Sequence, residues 1–147
     1  MDALPIAVLA RKLGRSAALL IVLALFTGFL VAGAMTKQFD AEPHALLAAH
    51  LNAFLGAFWM LGVAWSLPLL RLSAKSQQAL CWLTIVSNYA NWFLTGLKSI
   101  LKVVGVTATS DPKNNLIYAA LSVIVVLPSL AAGLLWLWGF RTTAENP

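Results

Sequence analysis

One histidine in this sequence stands where ionisable side chains are rare. His50 lies inside the apolar run from Ala45 to Pro68, which is longer than the roughly 20 residues that span the hydrocarbon core of a bilayer. At ~1.5 Å rise per residue, the imidazole lies roughly 7–8 Å along a helix from Ala45. An ionisable side chain at that depth costs free energy, so it usually faces the interior of a bundle and has a partner.

Three roles are open for His50. It could donate a hydrogen bond to a neighbouring helix while Lys98 extends its ammonium to the membrane interface. It could be an axial ligand of haem iron, because neutral imidazole is a usual haem ligand, with Lys98 or Lys102 beside the propionates. It could also be a proton relay in a small transporter. A zinc site is not expected, since the chain has a single cysteine and no acidic residue in an apolar run.

A second polar set follows in the apolar run at residues 79–104. Its polar residues recur every three or four positions, so they form one stripe along one face of a helix. Such a stripe faces protein, water or a ligand rather than lipid. The stripe comprises Thr84, Ser87, Asn88, Asn91, Thr95, Lys98, Ser99 and Lys102.

The composition requires a lipid environment. Of the 147 residues, 61% are hydrophobic and only 10% are charged, which a soluble domain of this length has too little interior to bury. We therefore predict one all-α integral membrane domain over residues 1–147, a four-helix bundle. The predicted spans cover residues 16–35, 45–70, 79–104 and 116–140, and residues 1–15 are expected to lie along the membrane surface. A cleavable signal peptide is the less favoured interpretation of the first span.

The basic residues predict an orientation. The net charge of +5 is spread over the flanks of the apolar runs rather than gathered in a patch that could bind nucleic acid. With four spans both termini lie on one side, together with the larger share of the basic residues. We therefore predict a multi-pass protein of the inner (cytoplasmic) membrane, with both termini in the cytoplasm.

The polar residues of the second and third spans are expected to meet. A short turn joins these spans, so they are antiparallel neighbours. The second span begins and the third span ends at the outer face of the membrane. Counting about six residues inward from that face along each span predicts a polar chamber that contains His50, Thr95 and Lys98, with Asn91 about one turn deeper.

Three motifs in these spans carry a family resemblance. They are the run from Ala49 to Asn52 (AHLN), the run SNYANW over residues 87–92, and the LPSL and LLWLWGF segments within residues 127–140. In this order and spacing the chain resembles the bacterial hydroxylaminobenzene mutases and, more distantly, the styrene oxide isomerases.

The resemblance implies a homotrimeric membrane isomerase with four helices. The mutases convert hydroxylaminobenzene to 2-aminophenol, and the styrene oxide isomerases open an aryl-substituted epoxide to an aldehyde with ferric haem b as Lewis acid. His50 falls at the position of the haem ligand, and Asn91 falls on an asparagine that both groups share.

This chain differs from both groups at positions that follow the histidine and the shared asparagine. Where the mutases have an acidic residue and then glycine after the histidine, it has Asn52 and Ala53. The epoxide isomerases have an asparagine six residues after the histidine and a tyrosine four residues after the shared asparagine. Here those positions are Gly56 and Thr95.

We accordingly predict conversion of hydroxylaminobenzene to 2-aminophenol with ferric haem b on His50. An epoxide isomerase, a cofactor-free four-helix transporter, and a haem or quinone redox subunit with Met60 as a soft ligand are the alternatives. Orientation of the substrate heteroatom is expected from Asn91, Asn88 and Thr95. Contacts with the small aromatic substrate are expected from Trp92, Phe54, Phe58 and Asn52, the aromatic rings by stacking.

Overall fold

The computed structural model describes residues 5–141, and every regular element in that range is helical. Four helices follow one another along the chain: α1 (Ile6–Met35), α2 (Pro43–Ser66), α3 (Ala74–Leu101) and α4 (Pro112–Gly139). A 3₁₀ turn at Leu67–Leu69 extends α2, and a π-helical segment at Leu121–Val126 lies within α4. The predicted all-α class and the four helices are confirmed.

Three of the helices begin at a polar side chain that the sequence places one residue before them. Glu42, Ser73 and Asp111 accept hydrogen bonds from backbone N–H groups two or three residues further on, in the first turns of α2, α3 and α4. Pro43 and Pro112 occupy the first turn, where a missing N–H costs nothing. These caps set where the three helices start.

The first helix is longer than predicted. Residues 6–15 were expected as a separate segment on the membrane surface, and that expectation is wrong, because α1 runs without a break from Ile6. Leu9 and Leu13 are fully buried in the same cluster as Leu67 and Leu70, which follow α2. The helix continues through these residues because it buries the two leucine side chains against the end of α2. The extreme termini, residues 1–4 and 142–147, lie outside the described residues.

Three of the four helices are long and apolar enough to cross a membrane: α1, α2 with its 3₁₀ extension, and α4. The exception is α3, whose length of 28 residues suffices but whose polar stripe lowers its hydropathy. The stripe is turned inward, as predicted from its spacing. Its buried members are Thr84, Ser87, Asn88, Thr95 and Ser99.

The helices pack around α2. It lies between α1 and α3, and α4 packs mainly against α3. At one end of the bundle, the Glu42 N–H donates to the Ser99 carbonyl (3.0 Å) and the Ser99 hydroxyl donates to the Glu42 carbonyl (2.7 Å). At the other end, the Arg71 N–H donates to the Gly139 carbonyl (2.8 Å). Each end is thus tied by main-chain groups of two different segments.

The closest approach of α2 and α3 depends on a glycine. Asn88 on α3 donates from Nδ2 to the Thr84 carbonyl of its own helix (2.8 Å), and its carboxamide lies directly over Gly56. A Cβ atom at Gly56 would lie 2.6 Å from Asn88 Oδ1, a distance that packed atoms do not adopt. Small residues at such crossings are the usual means by which helices associate in lipid.

We therefore expect Gly56→Ala to destabilise the protein by roughly 1–3 kcal/mol, since the added methyl group forces α2 and α3 apart. Thermal unfolding of the detergent-purified protein measures the effect. Gly133→Ala is the matched control, because a Cβ at Gly133 meets nothing within 4 Å and alanine is the better helix former. Equal unfolding temperatures for the two variants would contradict the assigned packing.

Candidate functional site

The imidazole of His50 lies in the interface between α1 and α2. Its Nδ1 is 2.7 Å from the carbonyl oxygen of Ala24 on α1. A carbonyl only accepts, so Nδ1 carries the hydrogen, and in the neutral ring Nε2 keeps its lone pair. Phe54, one turn further along α2, contacts the ring edge-on at a centroid distance of 5.1 Å.

A glycine makes room for this ring. A Cβ atom at Gly28 on α1 would lie 3.0 Å from Cε1 of His50 and 3.3 Å from Nδ1. The close approach allows the hydrogen bond to Ala24 to form and holds the ring in one orientation. The hydrogen bond to a neighbouring helix, one of the roles open for His50, is therefore present, and it uses only one of the two ring nitrogens.

The second nitrogen of His50 is free. Within residues 5–141, Nε2 has no hydrogen-bond partner. In the same range no buried side-chain nitrogen or oxygen is left without a partner, so Nε2 reaches space outside the packed interior. A histidine that donates from Nδ1 to a main-chain carbonyl and keeps Nε2 free has the form in which histidine binds metals.

A polar cluster occupies the other side of α2. Asn52 donates from Nδ2 to Asn91 Oδ1 (3.2 Å) and to Thr95 Oγ1 (3.4 Å), and Thr95 donates in turn to Asn91 Oδ1 (3.2 Å). The two partners from α3 fix the rotamer of Asn52, and the shared acceptor leaves the Nδ2 group of Asn91 without a partner in the described part of the chain. The cluster therefore offers two oriented amide hydrogens.

These hydrogens adjoin a cavity of about 410 Å³, here called the polar cavity, which lies between α2, α3 and α4. Its volume falls within the range of small-molecule sites. One wall is polar and the opposite wall, from α4, is mainly apolar. The lining residues are Ala48, Asn52, Asn91, Thr95, Lys98, Gly105, Val106, Tyr118, Leu121, Ser122, Val125 and Val126.

The α4 wall of this cavity is irregular. Its middle turn, Leu121–Val126, is π-helical, and such turns are frequent at functional sites. Pro128 lies two residues after the segment and has no N–H to continue the regular ladder of hydrogen bonds. The Ser122 hydroxyl donates to the Tyr118 carbonyl (2.9 Å) at the start of the segment. The sequence predicts no role for Tyr118 or Ser122, and the Pro128–Ser129 pair inside an apolar run is the signal of irregular helix that it does carry.

The structure divides the predicted chamber. Asn91, Thr95 and Lys98 line one cavity as predicted, and Asn52 joins them, but His50 is not among the lining residues. His50 and Asn52 are two residues apart on a helix, which turns them about 200° from each other. One therefore contacts α1 and the other contacts α3, so the expected single layer containing the imidazole is wrong.

The remaining predicted site residues lie elsewhere. Asn88 packs on Gly56 and is not among the residues that line the polar cavity. Trp92 donates from Nε1 to the Thr27 hydroxyl of α1 (2.9 Å) and lines a smaller apolar cavity of about 180 Å³. Phe58 is 59% exposed on the outer surface, whereas Phe54 contacts His50.

The two lysines predicted to pair with cofactor propionates lie at the end of α3. Lys98 donates from Nζ to the Val104 carbonyl (3.3 Å) and lines the polar cavity near Gly105. Lys102 forms an exposed ion pair with Asp40 of the loop after α1. Met60, the soft ligand of the redox alternative, is fully buried in the core.

A comparison with protein families identifies the chain. The family model described as styrene oxide isomerase matches residues 9–141, a range that includes nearly the whole of all four helices. No curated protein and no solved structure matches the chain. The match is to the group that was predicted as the more distant resemblance, and membership of the hydroxylaminobenzene mutases, predicted first, is not shown. The chain is a membrane protein that belongs to the styrene oxide isomerase family.

Proposed function

We propose that this protein is a membrane-embedded isomerase that opens a small aryl-substituted epoxide to the aldehyde of equal mass. The family match over residues 9–141 carries the proposal for the reaction class. Two features of the structure support the proposal. The free Nε2 of His50 could bind a metal, and the polar cavity offers space for a substrate beside oriented donors.

His50 is the proposed ligand of the haem iron. Nδ1 is held by the Ala24 carbonyl, Nε2 is free, and the Gly28 surface fixes the ring plane. Ferric haem b, when bound there, supplies a Lewis acid that polarises the bond to the substrate oxygen. Lys98, whose ammonium has one contact at 3.3 Å, lines the polar cavity on the other side of α2, so it would pair with a carboxylate of a cofactor held by a neighbouring copy.

Asn91 is the proposed donor to the reacting oxygen. In an aryl epoxide the benzylic C–O bond breaks, its electron pair stays on oxygen, and a hydride moves from the neighbouring carbon to the benzylic carbon as the C=O bond forms. The oxygen is most negative before the hydride moves. Asn91 Nδ2, oriented by Asn52 and Thr95, can donate to it at that stage, which lowers the barrier.

The apolar wall of the polar cavity protects the reaction. A benzylic cation that meets water becomes a diol, so an isomerase must keep water from that carbon. Leu121, Val125 and Val126 on α4 provide hydrocarbon surface opposite the amide cluster. A substrate whose oxygen points to α3 and whose ring points to α4 satisfies both walls.

A second candidate reaction is the conversion of hydroxylaminobenzene to 2-aminophenol. Gly56 and Thr95 favour it, because they stand where the epoxide isomerases have an asparagine and a tyrosine. In this reaction a hydroxyl group leaves nitrogen and adds to the ring without net redox change. The same amide donor would then act on the hydroxyl oxygen as the N–O bond breaks.

The assembly and the location are also proposals. We infer a homotrimer in the inner membrane with both termini in the cytoplasm, supported by the family and by the basic residues at one end of the bundle. Because His50 and Asn91 lie on different sides of α2, residues from two neighbouring copies would form each complete site. The trimer is therefore proposed to join the His50 face of one copy to the polar cavity of the next.

His50→Ala is expected to abolish both the Soret band and isomerase activity, since it removes the one ligand nitrogen. The measurements are the absorption spectrum of the purified protein and the formation of equal-mass isomers from styrene oxide and from hydroxylaminobenzene. His44→Ala is the matched control, because His44 is exposed at the start of α2 and should keep both properties. Retained haem with normal turnover in His50→Ala would reject the site.

Colour and product separate the remaining alternatives. A colourless wild-type protein that moves solutes across a bilayer would be the transporter. A red protein that cycles between oxidation states and isomerises neither compound would be the redox subunit.

Sharing of the site between copies predicts complementation. His50→Ala and Asn91→Ala should each be nearly inactive alone, and in Asn91→Ala we expect turnover to fall by about 10²–10³-fold. Co-expressed, they should recover about a quarter of wild-type activity, because random assembly of a ring leaves one site in four with both residues. The measurement is turnover per mole of mixed oligomer.

The matched control is co-expression of His50→Ala with the double variant His50→Ala/Asn91→Ala, in which no site holds both residues. Absence of recovery in the first mixture, with assembly shown by differently tagged copies, would place both residues of each site in one chain.

A further inference from the structure

One side chain of the polar cavity has no assigned role. Tyr118 lies on the α4 wall, whereas the amide cluster of Asn52, Asn91 and Thr95 lies on the walls formed by α2 and α3. The residue is exposed, with a relative accessibility of 39%. Within residues 5–141 its hydroxyl has no hydrogen-bond partner.

The other hydroxyl groups of this cavity are already occupied. Thr95 donates to Asn91 Oδ1, and Ser122 donates to the Tyr118 carbonyl. The ammonium of Lys98 is drawn towards the Val104 carbonyl at the end of the cavity near Gly105. The side-chain donors left to meet an acceptor in the body of the cavity are therefore Asn91 Nδ2 and the Tyr118 hydroxyl, on different walls.

The second tyrosine of the chain provides a contrast. Tyr89 donates its hydroxyl to the Ser16 carbonyl (2.8 Å) and thereby links α3 to α1. A phenol in apolar surroundings costs free energy when its hydroxyl has no partner, and Tyr89 meets that cost with a main-chain acceptor. The Tyr118 hydroxyl has no such acceptor in the described residues. Tyr118 lies just before the π-helical segment of α4.

We propose that the Tyr118 hydroxyl donates a hydrogen bond to the substrate oxygen from the α4 wall of the polar cavity, facing Asn91 on α3. The ligand class, an aryl compound with one oxygen acceptor, rests on the proposed function. Two neutral donors on different helices hold that oxygen in one place and strengthen as it gains negative charge. Tyr118 is thus a second donor to the reacting oxygen.

The π-helical segment is the element that supports this donor. Ser122 holds the Tyr118 carbonyl by its hydroxyl, four residues further along, and both side chains line the cavity. A purely structural role for Tyr118 as an interfacial aromatic is the competing explanation. It predicts no dependence on the hydroxyl of Tyr118 for either turnover or selectivity among ligands.

The test is Tyr118→Phe, which removes one oxygen and keeps the ring. We expect turnover of styrene oxide per mole of folded protein to fall by about 10²-fold, mainly in kcat, with an unchanged absorption spectrum. Tyr89→Phe is the matched control, because it deletes the same atom outside the cavity. It should lower the unfolding temperature, because the hydrogen bond to Ser16 is lost, and leave kcat unchanged.

A binding measurement makes the test independent of activity. Acetophenone has an oxygen acceptor on an aryl ring, and ethylbenzene has a similar size without the acceptor. Titration of wild-type protein, followed by tryptophan fluorescence, should show tighter binding of acetophenone. Tyr118→Phe should reduce that preference about tenfold, since it loses a single hydrogen bond to a neutral acceptor.

The outcomes separate this inference from the proposed function. If the wild-type protein isomerises neither substrate but shows the acetophenone preference and Tyr118→Phe loses it, the reaction is wrong and the donor role of Tyr118 stands. If the wild-type protein isomerises styrene oxide and Tyr118→Phe changes neither kcat nor the acetophenone preference, the donor role is overturned and the reaction stands.

Discussion

Polar groups inside a bilayer have no water to bond, so the bundle itself must satisfy them. In the described residues no buried side-chain nitrogen or oxygen lacks a partner. Thr84 donates to the main chain of its own helix, and Trp92 reaches across to Thr27 on α1. This constraint explains how α3 can be the most polar helix and still pack within an apolar bundle. It also gives meaning to polar atoms that stay free in this range: His50 Nε2, Asn91 Nδ2 and the Tyr118 hydroxyl are among them, and none of the three is buried.

The two sides of α2 carry different chemistry. Towards α1 it presents an imidazole whose orientation is fixed by a main-chain carbonyl and by the bare surface of Gly28. Towards α3 it presents Asn52, and one turn further Gly56, over which Asn88 packs. A free imidazole nitrogen on one side and amide donors on the other suit the proposed site completed by a second copy.

Hydropathy and spacing predicted much of this arrangement and failed at identifiable points. The four helices, their polar caps and the inward-facing stripe of α3 follow from local residue patterns. The extension of α1 to Ile6 was missed, because burial of Leu9 depends on Leu67 and Leu70, which are far away in sequence. The prediction of a chamber around His50 was wrong because it rested on the depth of each residue in the membrane. It did not take into account the direction in which each side chain points around the helix axis. Tyr118 was missed because its surroundings come from an irregular turn.

The amino-acid sequence by itself determined that this is a bundle of apolar helices with His50 inside the second apolar run and a polar stripe on α3. It could do so because hydrophobic periodicity and capping are properties of neighbouring residues. Only the tertiary structure decided which helix each polar side chain meets. That choice depends on how the helices are rotated and how closely their glycines let them approach, and a rotation of half a turn moves a side chain from one neighbour to another without changing the pattern along the chain.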